Sequence, residues 1–291
     1  MRPSDLVLIS CKPVKSPMSD EEFKKITYKR KSKPQQPSIT QQLADISLNI
    51  DDFDKNKAIR RVLEAKDDIL ASDYYSNVQA SVREALSLLQ HKNLETQTEK
   101  SKQIQIKELI CFGIGYVSDS MISRYQLALI LILKEVYNIA KVKICDPILT
   151  SNDFLVLEHF EIEIIKENIE AKYIAHDYTL FYLPHCPKQL SNNLLWANWS
   201  KNSLENCIII SNSFQSLIEN NTKQNLIDNA QFVYKISPFV QEIAIFNTFK
   251  YYEIFNDAAM HVFPNLSLIA EDFWFDVKEP KYLSDIEYIE A

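Results

Sequence analysis

Gly113 and Gly115 are the only two glycines in a chain of 291 residues. They stand one residue apart in Leu109-Ile-Cys-Phe-Gly-Ile-Gly-Tyr-Val-Ser-Asp-Ser120, where an apolar run ends and a helical pattern begins. A chain that otherwise avoids glycine uses it where the backbone needs positive φ or where another group comes close to the main chain. Strand, tight turn and helix N-terminus in succession aim unpaired amides at one point, the chemistry of an anion or nucleotide cradle. The fingerprint is incomplete, because Ser118 stands where a third glycine would finish G-x-G-x-x-G. Ser118, Asp119 and Ser120 are candidate ligand contacts or helix caps. Arg124 is a candidate anion partner that could equally pair with Asp119 or Asp146.

Three other polar clusters follow apolar runs. Asp146, in Cys145-Asp146-Pro147, lies where nucleotide-binding folds place a carboxylate for ribose hydroxyls, and a turn cap before Pro147 is its competing use. Pro184-His185-Cys186-Pro187 offers an imidazole for acid or base work and a thiol as nucleophile, against a histidine that merely bonds the backbone. Asn212 and Ser213 close a fifth apolar run. Between the last two clusters, Asn192, Asn193 and Trp196 share one helix face, fit to stack a planar ligand or to join the core. The five histidines (91, 159, 176, 185, 261) show no paired ligand spacing, and C-x-x-C, G-x-S-x-G and a P-loop lysine are all missing, so no metal is expected.

These clusters can act together only if one fold gathers the ends of their strands. From Gln103 the pattern alternates strand and helix: strands at "IKELICFGI", "KVKICDP", "EIEIIKEN", "TLFYLPHC" and "ENCIIISNS", with helices between them. "NAQFVYKISPF" (229–239) reads as a sixth strand, and "YYEIFNDAAMHVFPNLSL" as a helix followed by an extended piece. Strands dense in Ile, Val and Leu between helices predict an α/β, Rossmann-like, doubly wound and mainly parallel sheet, with ligands bound outside the carboxyl ends of its strands. Before it, apolar residues at three- and four-residue steps predict two helices, broken near Ser72-Asp73, that pack on the sheet domain.

The chain divides accordingly into a disordered basic tail (1–52), a helical extension (53–102), the Rossmann-like domain (103–270) and an acidic, aromatic tail (271–291). Residues 1–50 carry nine Lys/Arg against five acids, net +4, within a chain of net charge −7. The whole is therefore not a nucleic-acid protein by charge. Lys29-Arg30-Lys31-Ser32-Lys33 reads as a solvated tail or a nuclear address. Scattered cysteines, the lack of a signal-peptide pattern and the lack of an apolar run near the roughly 20 residues of a membrane span predict a cytoplasmic protein with reduced thiols. The two tails are the expected contacts for protein partners.

The blocks "CFGIGYVSDSMISRYQLALIL" (111–131), "CDP" (145–147), "LFYLPHCPKQLSNNLLWANW" (180–199) and "IIISNSF" (208–214) resemble the Sensitivity-to-Red-Light-Reduced, or SRR-like, domain family over about residues 103–215. The resemblance implies a Rossmann-like fold and a regulatory role, in circadian clock input, clock-gene expression or haem biosynthesis, with no catalytic set to carry over. It makes Cys186-Pro187 a candidate haem-regulatory pair with the thiolate as axial ligand. From the residues themselves three functions follow: a regulator whose pocket takes a small anionic ligand, a transferase using a nucleotide- or S-adenosylmethionine-type cofactor, or an interaction protein working through its tails.

Overall fold

The computed structural model describes residues 53–95, 104–275 and 277–282. The readings made for residues 1–52, the basic cluster included, and for Tyr288 lie outside the described residues. Asp54 accepts the Lys57 amide at 2.9 Å and so starts α1 (Lys55–Leu70). Ala58, Ile59, Val62, Ala65 and Ile69 make its buried stripe. The chain breaks at Ser72, whose hydroxyl donates to the Ile69 carbonyl, and resumes as α2 (Asp73–Glu95). The apolar spacing named both helices and the break between them.

Next come β1 (Glu108–Phe112), α3 (Met121–Val136), β2 (Lys141–Cys145), α4 (Ser151–His159), β3 (Glu163–Ile164) and β4 (Thr179–Leu183). α5 (Lys188–Ala197), α6 (Lys201–Leu204), β5 (Cys207–Asn212), α7 (Phe214–Glu219), α8 (Lys223–Asn229) and α9 (Gln231–Ile236) follow. β6 (Gln241–Ala244) and β7 (Ala258–Val262) complete the sheet. The strand order is β3-β2-β1-β4-β5-β7-β6, parallel from β3 through β5, with β7 antiparallel to both its neighbours. From β1 the chain moves outward to β2 and β3, then crosses back to β4 on the other side. The order reverses between β1 and β4, where such sheets open a crevice.

Each strand feeds two cores, because successive side chains point to opposite faces. Leu109, Cys111, Leu180, Tyr182, Ile208 and Ile210 pack with α1, α2 and α3 on one face. Ile110, Phe112, Phe181, Leu183, Cys207 and Ile209 pack with α5, α8 and α9 on the other. Helix α3 is buried almost all round, Leu127 through Leu133 without a gap. It lies between the sheet and α1, which explains a helix apolar on every side. The doubly wound, mainly parallel α/β sheet is therefore as expected.

Two element expectations are corrected. Residues 229–239 form no strand: Gln231–Ile236 is helical, with Phe232, Val233 and Ile236 buried at one- and three-residue steps. Its β-branched and aromatic content imitated a strand, and packing on α5 decided otherwise. The helix expected at the start of "YYEIFNDAAMHV" is one 3₁₀ turn (Tyr252–Ile254), and Ala258–Val262 is the seventh strand. β7 sits between two strands, so its run is buried without the alternation that marks a half-exposed strand. β3 is shorter than "EIEIIKEN" suggested, two residues long.

Candidate functional site

At the switch point a crevice of about 300 Å³ opens, lined among others by Gly113, Gly115, Asp146, Glu170, His185 and Cys186. The ends of β1, β2 and β4 thus meet, as the sequence predicted. Both glycines have positive φ, 69° and 77°. A Cβ on Gly113 would lie 2.6 Å from Cys186 Sγ, and one on Gly115 would lie 2.7 Å from Ser123 Oγ. Conformation and close approach both demand glycine here.

The amides of this loop serve the protein itself. Gly113 N donates to the Cys145 carbonyl at 3.2 Å. Gly115 N donates to Asp146 Oδ2 at 2.7 Å, and Asp146 Oδ1 accepts Ile148 N at 3.1 Å. Ser118 N donates to Oδ1 of Asp153, a fully buried carboxylate that also closes the capping box of α4 with Thr150. Two carboxylates therefore already hold loop amides that a phosphate would need. Among the described residues, the crevice lining includes Asp146 and Glu170 but no lysine or arginine. Both features weigh against the small anionic ligand that the glycine loop suggested.

Other predicted residues divide by place. Ser120 caps α3, accepting Ser123 N, while Ser118 and Asp119 line a separate hollow with Tyr116 and Thr150. Arg124 Nη2 donates to the Asp119 main-chain oxygen at 3.3 Å, and its buried Nε finds no partner among the described residues. Burial, with Arg61 nearby, holds its guanidinium below the ordinary arginine range. Arg124 does not line the crevice, so its role as an anion partner is not supported.

His185 sits on the crevice rim with φ 53°, and its Nε2 lies 3.0 Å from the Ile254 carbonyl. A carbonyl only accepts, so Nε2 carries the proton of this bond. Pro184 is buried, and Asn212 Nδ2 donates to the Cys186 carbonyl at 3.3 Å, bracing the turn from below. The Cys186 thiol donates to the Phe112 carbonyl at 3.2 Å. Burial, then the Asp146 charge, pushes that thiol far up. Burial and the bond to Phe112 favour the thiol over the thiolate that a nucleophilic or haem-ligating role of Cys186 would need. Among the described residues, no group of three His, Cys, Asp or Glu could hold a metal ion.

The Asn192, Asn193 and Trp196 face is filled from within. Tyr282 donates to Asn193 Oδ1 at 2.7 Å and to the Gln189 carbonyl at 3.2 Å, and accepts from Asn192 Nδ2 at 3.0 Å. Burial, against the Asn192 bond, pushes its phenol up to about 12. Asn192 Oδ1 takes the Phe232 amide, and Asn193 Nδ2 holds the Glu170 carbonyl at the crevice wall. Trp196 packs partly buried at the edge of the core. The C-terminal aromatic stretch docks on the same side: Phe273 stacks on Trp199, and Trp274 is buried. Ser213 caps α7 and donates to Glu242 at 2.5 Å, away from the crevice.

Asn168, Glu170 and Ala171, from the loop between β3 and β4, were missed as wall residues. Glu170 and Ala171 both have positive φ, 50° and 61°. A tight turn normally announces itself by glycine or asparagine there, and this one is built from residues that give no such signal.

The chain matches the SRR1 domain over residues 78–262. It belongs to the SRR1 domain family. The match is wider than the motif blocks, taking in α2, β6 and β7. The chain is similar to SRR1-like proteins of Drosophila melanogaster (30% identical, 58% of this chain and 60% of that one) and Mus musculus (29%, 63% and 82%). It is also similar to Protein Sensitivity to Red Light Reduced 1 of Arabidopsis thaliana (27%, 54% and 58%). The aligned part thus spans less than two thirds of the fly and plant proteins. Among solved structures, a Corynebacterium glutamicum protein is similar at 10% identity and TM-score 0.34, over 66% of this chain and 88% of that one. The plantazolicin methyltransferase BpumL is similar at 13% and 0.31, over 72% and 98%. Likeness this loose carries no functional statement.

Proposed function

We propose that this chain is a regulatory protein whose crevice at the β1–β4 switch point senses a small nucleoside-type ligand without transforming it. The observation that carries the reading is Asp146. It stands at the end of β2 on the crevice wall, where Rossmann-like folds place a carboxylate for ribose hydroxyls. Each of its oxygens takes one main-chain N–H, which leaves lone pairs for a diol. The reading of regulation over catalysis is supported by the state of the reactive groups: Cys186 is a bonded thiol, and one nitrogen of His185 is committed to Ile254.

The regulatory setting is drawn from the relatives. The plant relative is named for reduced sensitivity to red light, and light- or clock-linked regulation is the setting we assign to this chain. A part in haem biosynthesis belongs to the same reading, through partners and not through iron bound at Cys186. Its place is the cytoplasm, with the basic stretch 29–33 as a nuclear address. A transferase is the second reading, favoured by one observation: the His185 imidazole lines the same crevice as Asp146.

A thermal-shift panel of nucleosides and nucleotides tests the proposal. A crevice ligand at 100 times its Kd stabilises the fold by about 2.7 kcal/mol, a rise of roughly 5–10 °C for a domain of this size. Asp146→Ala, read against its own baseline, abolishes the rise. Turnover of the bound compound in the presence of an acceptor mixture would move the assignment to the transferase, and flat curves for every compound would remove the crevice from the account.

A further inference from the structure

The crevice's charge is specific enough to name its ligand class. We infer that it accepts a ribose-bearing ligand without phosphate, cationic ligands binding before neutral ones, and that it rejects nucleotides. This rests on the ligand-binding reading above and deepens it.

Phosphate recognition at a glycine loop needs free main-chain donors and usually a basic side chain. Here Gly115 N is held by Asp146 and Ser118 N by Asp153, so carboxylates of the protein already occupy two amides of the loop. The wall contributes two more features. Glu170 lines the crevice, and Lys172, its ion partner at 2.9 Å, is shared with Glu279 at 2.7 Å. That trio carries a net charge of one minus, and Asp146 adds another. Among the described residues the lining holds no lysine or arginine to pair with a phosphate directly, and Lys172 is already shared between Glu170 and Glu279. A phosphate brought beside the Asp146 carboxylate, in a half-exposed site, meets a repulsion that corresponds to about tenfold in affinity. The same field draws a cation. Ile148, Ala171 and Leu190 supply an apolar stretch of lining against which a planar base can lie.

Calorimetric titration of the full chain at low ionic strength with S-adenosylmethionine, adenosine and AMP separates the alternatives. The probes share the adenosine moiety and differ in charge. The expected order is S-adenosylmethionine, then adenosine, then AMP, with AMP about tenfold weaker than adenosine. Glu170→Gln narrows the adenosine-to-AMP gap while adenosine still binds. AMP binding as tightly as adenosine would overturn the charge argument and leave the crevice reading intact. Failure of all three to bind, while the protein remains folded by circular dichroism, would overturn both.

Discussion

At the scale of single residues, Gly113 carries the sharpest expectation. Its φ of 69° costs an L side chain about 1–2 kcal/mol. The 2.6 Å approach to Cys186 Sγ adds overpacking of about 1–3 kcal/mol. Gly113→Ala is expected to lose about 2–5 kcal/mol in urea denaturation. Adding Cys186→Ala removes the overlap but not the backbone strain, so the double variant should be more stable than the sum of the two single changes predicts. Strict additivity would mean that thiol and loop do not press on each other. These glycines were legible in the sequence because the chain holds no others. Glu170 was not: its wall role comes from a left-handed turn written in Glu and Ala, and from an Asn193 bond 23 residues away. Asp146 was legible as a position, but its bond to Gly115 was not, since the sequence does not say which acceptor a loop amide will choose.

Among elements, the junction of β5, β7, β6 and α7 has a pH dependence of its own. Glu242 on β6 lies 3.2 Å from His261 Nε2 on β7 and accepts from Ser213 Oγ and the Gln215 amide at the start of α7. Burial alone would raise its pKa. The neighbouring His261 and the bonds from Ser213 and Gln215 outweigh burial and hold the carboxyl at about 2, against an ordinary 4.5. A carboxyl lowered on folding contributes stability above its unfolded pKa and loses it as pH falls through the folded one. The window therefore runs from about 4.5 down to about 2. After solvent screening the contribution is about 1–2 kcal/mol. Wild type and Glu242→Gln should differ by that much near pH 6, less near pH 3, and converge only near pH 2, by urea midpoint. Parallel profiles would show that Glu242 does not anchor the junction. This junction was the least legible part of the fold. β7 is buried on both faces and α9 is rich in strand formers, so composition misled in both places, whereas the β1 to β5 alternation was regular enough to read directly.

For the whole molecule, the order β3-β2-β1-β4-β5-β7-β6 explains why four polar clusters far apart in sequence do not share one fate. The reversal between β1 and β4 brings Gly113, Gly115, Asp146 and His185 to one crevice. β5, one strand farther out, leaves Ser213 to the β6 junction and uses Asn212 as a brace. The Asn192 and Asn193 face, expected to meet a ligand, receives the chain's own Tyr282. Membership of the SRR1 domain family now covers this sheet from α2 through β7. The central claim is that a nucleoside-type ligand enters at the glycine loop, and the composition offers a direct reporter. Protein labelled with ¹⁵N-glycine gives two amide cross-peaks, one from each glycine. Titration with adenosine should move both peaks saturably in wild type and leave them still in Asp146→Ala. Two peaks that stay fixed in wild type, while adenosine is bound, would place the ligand elsewhere and contradict the account.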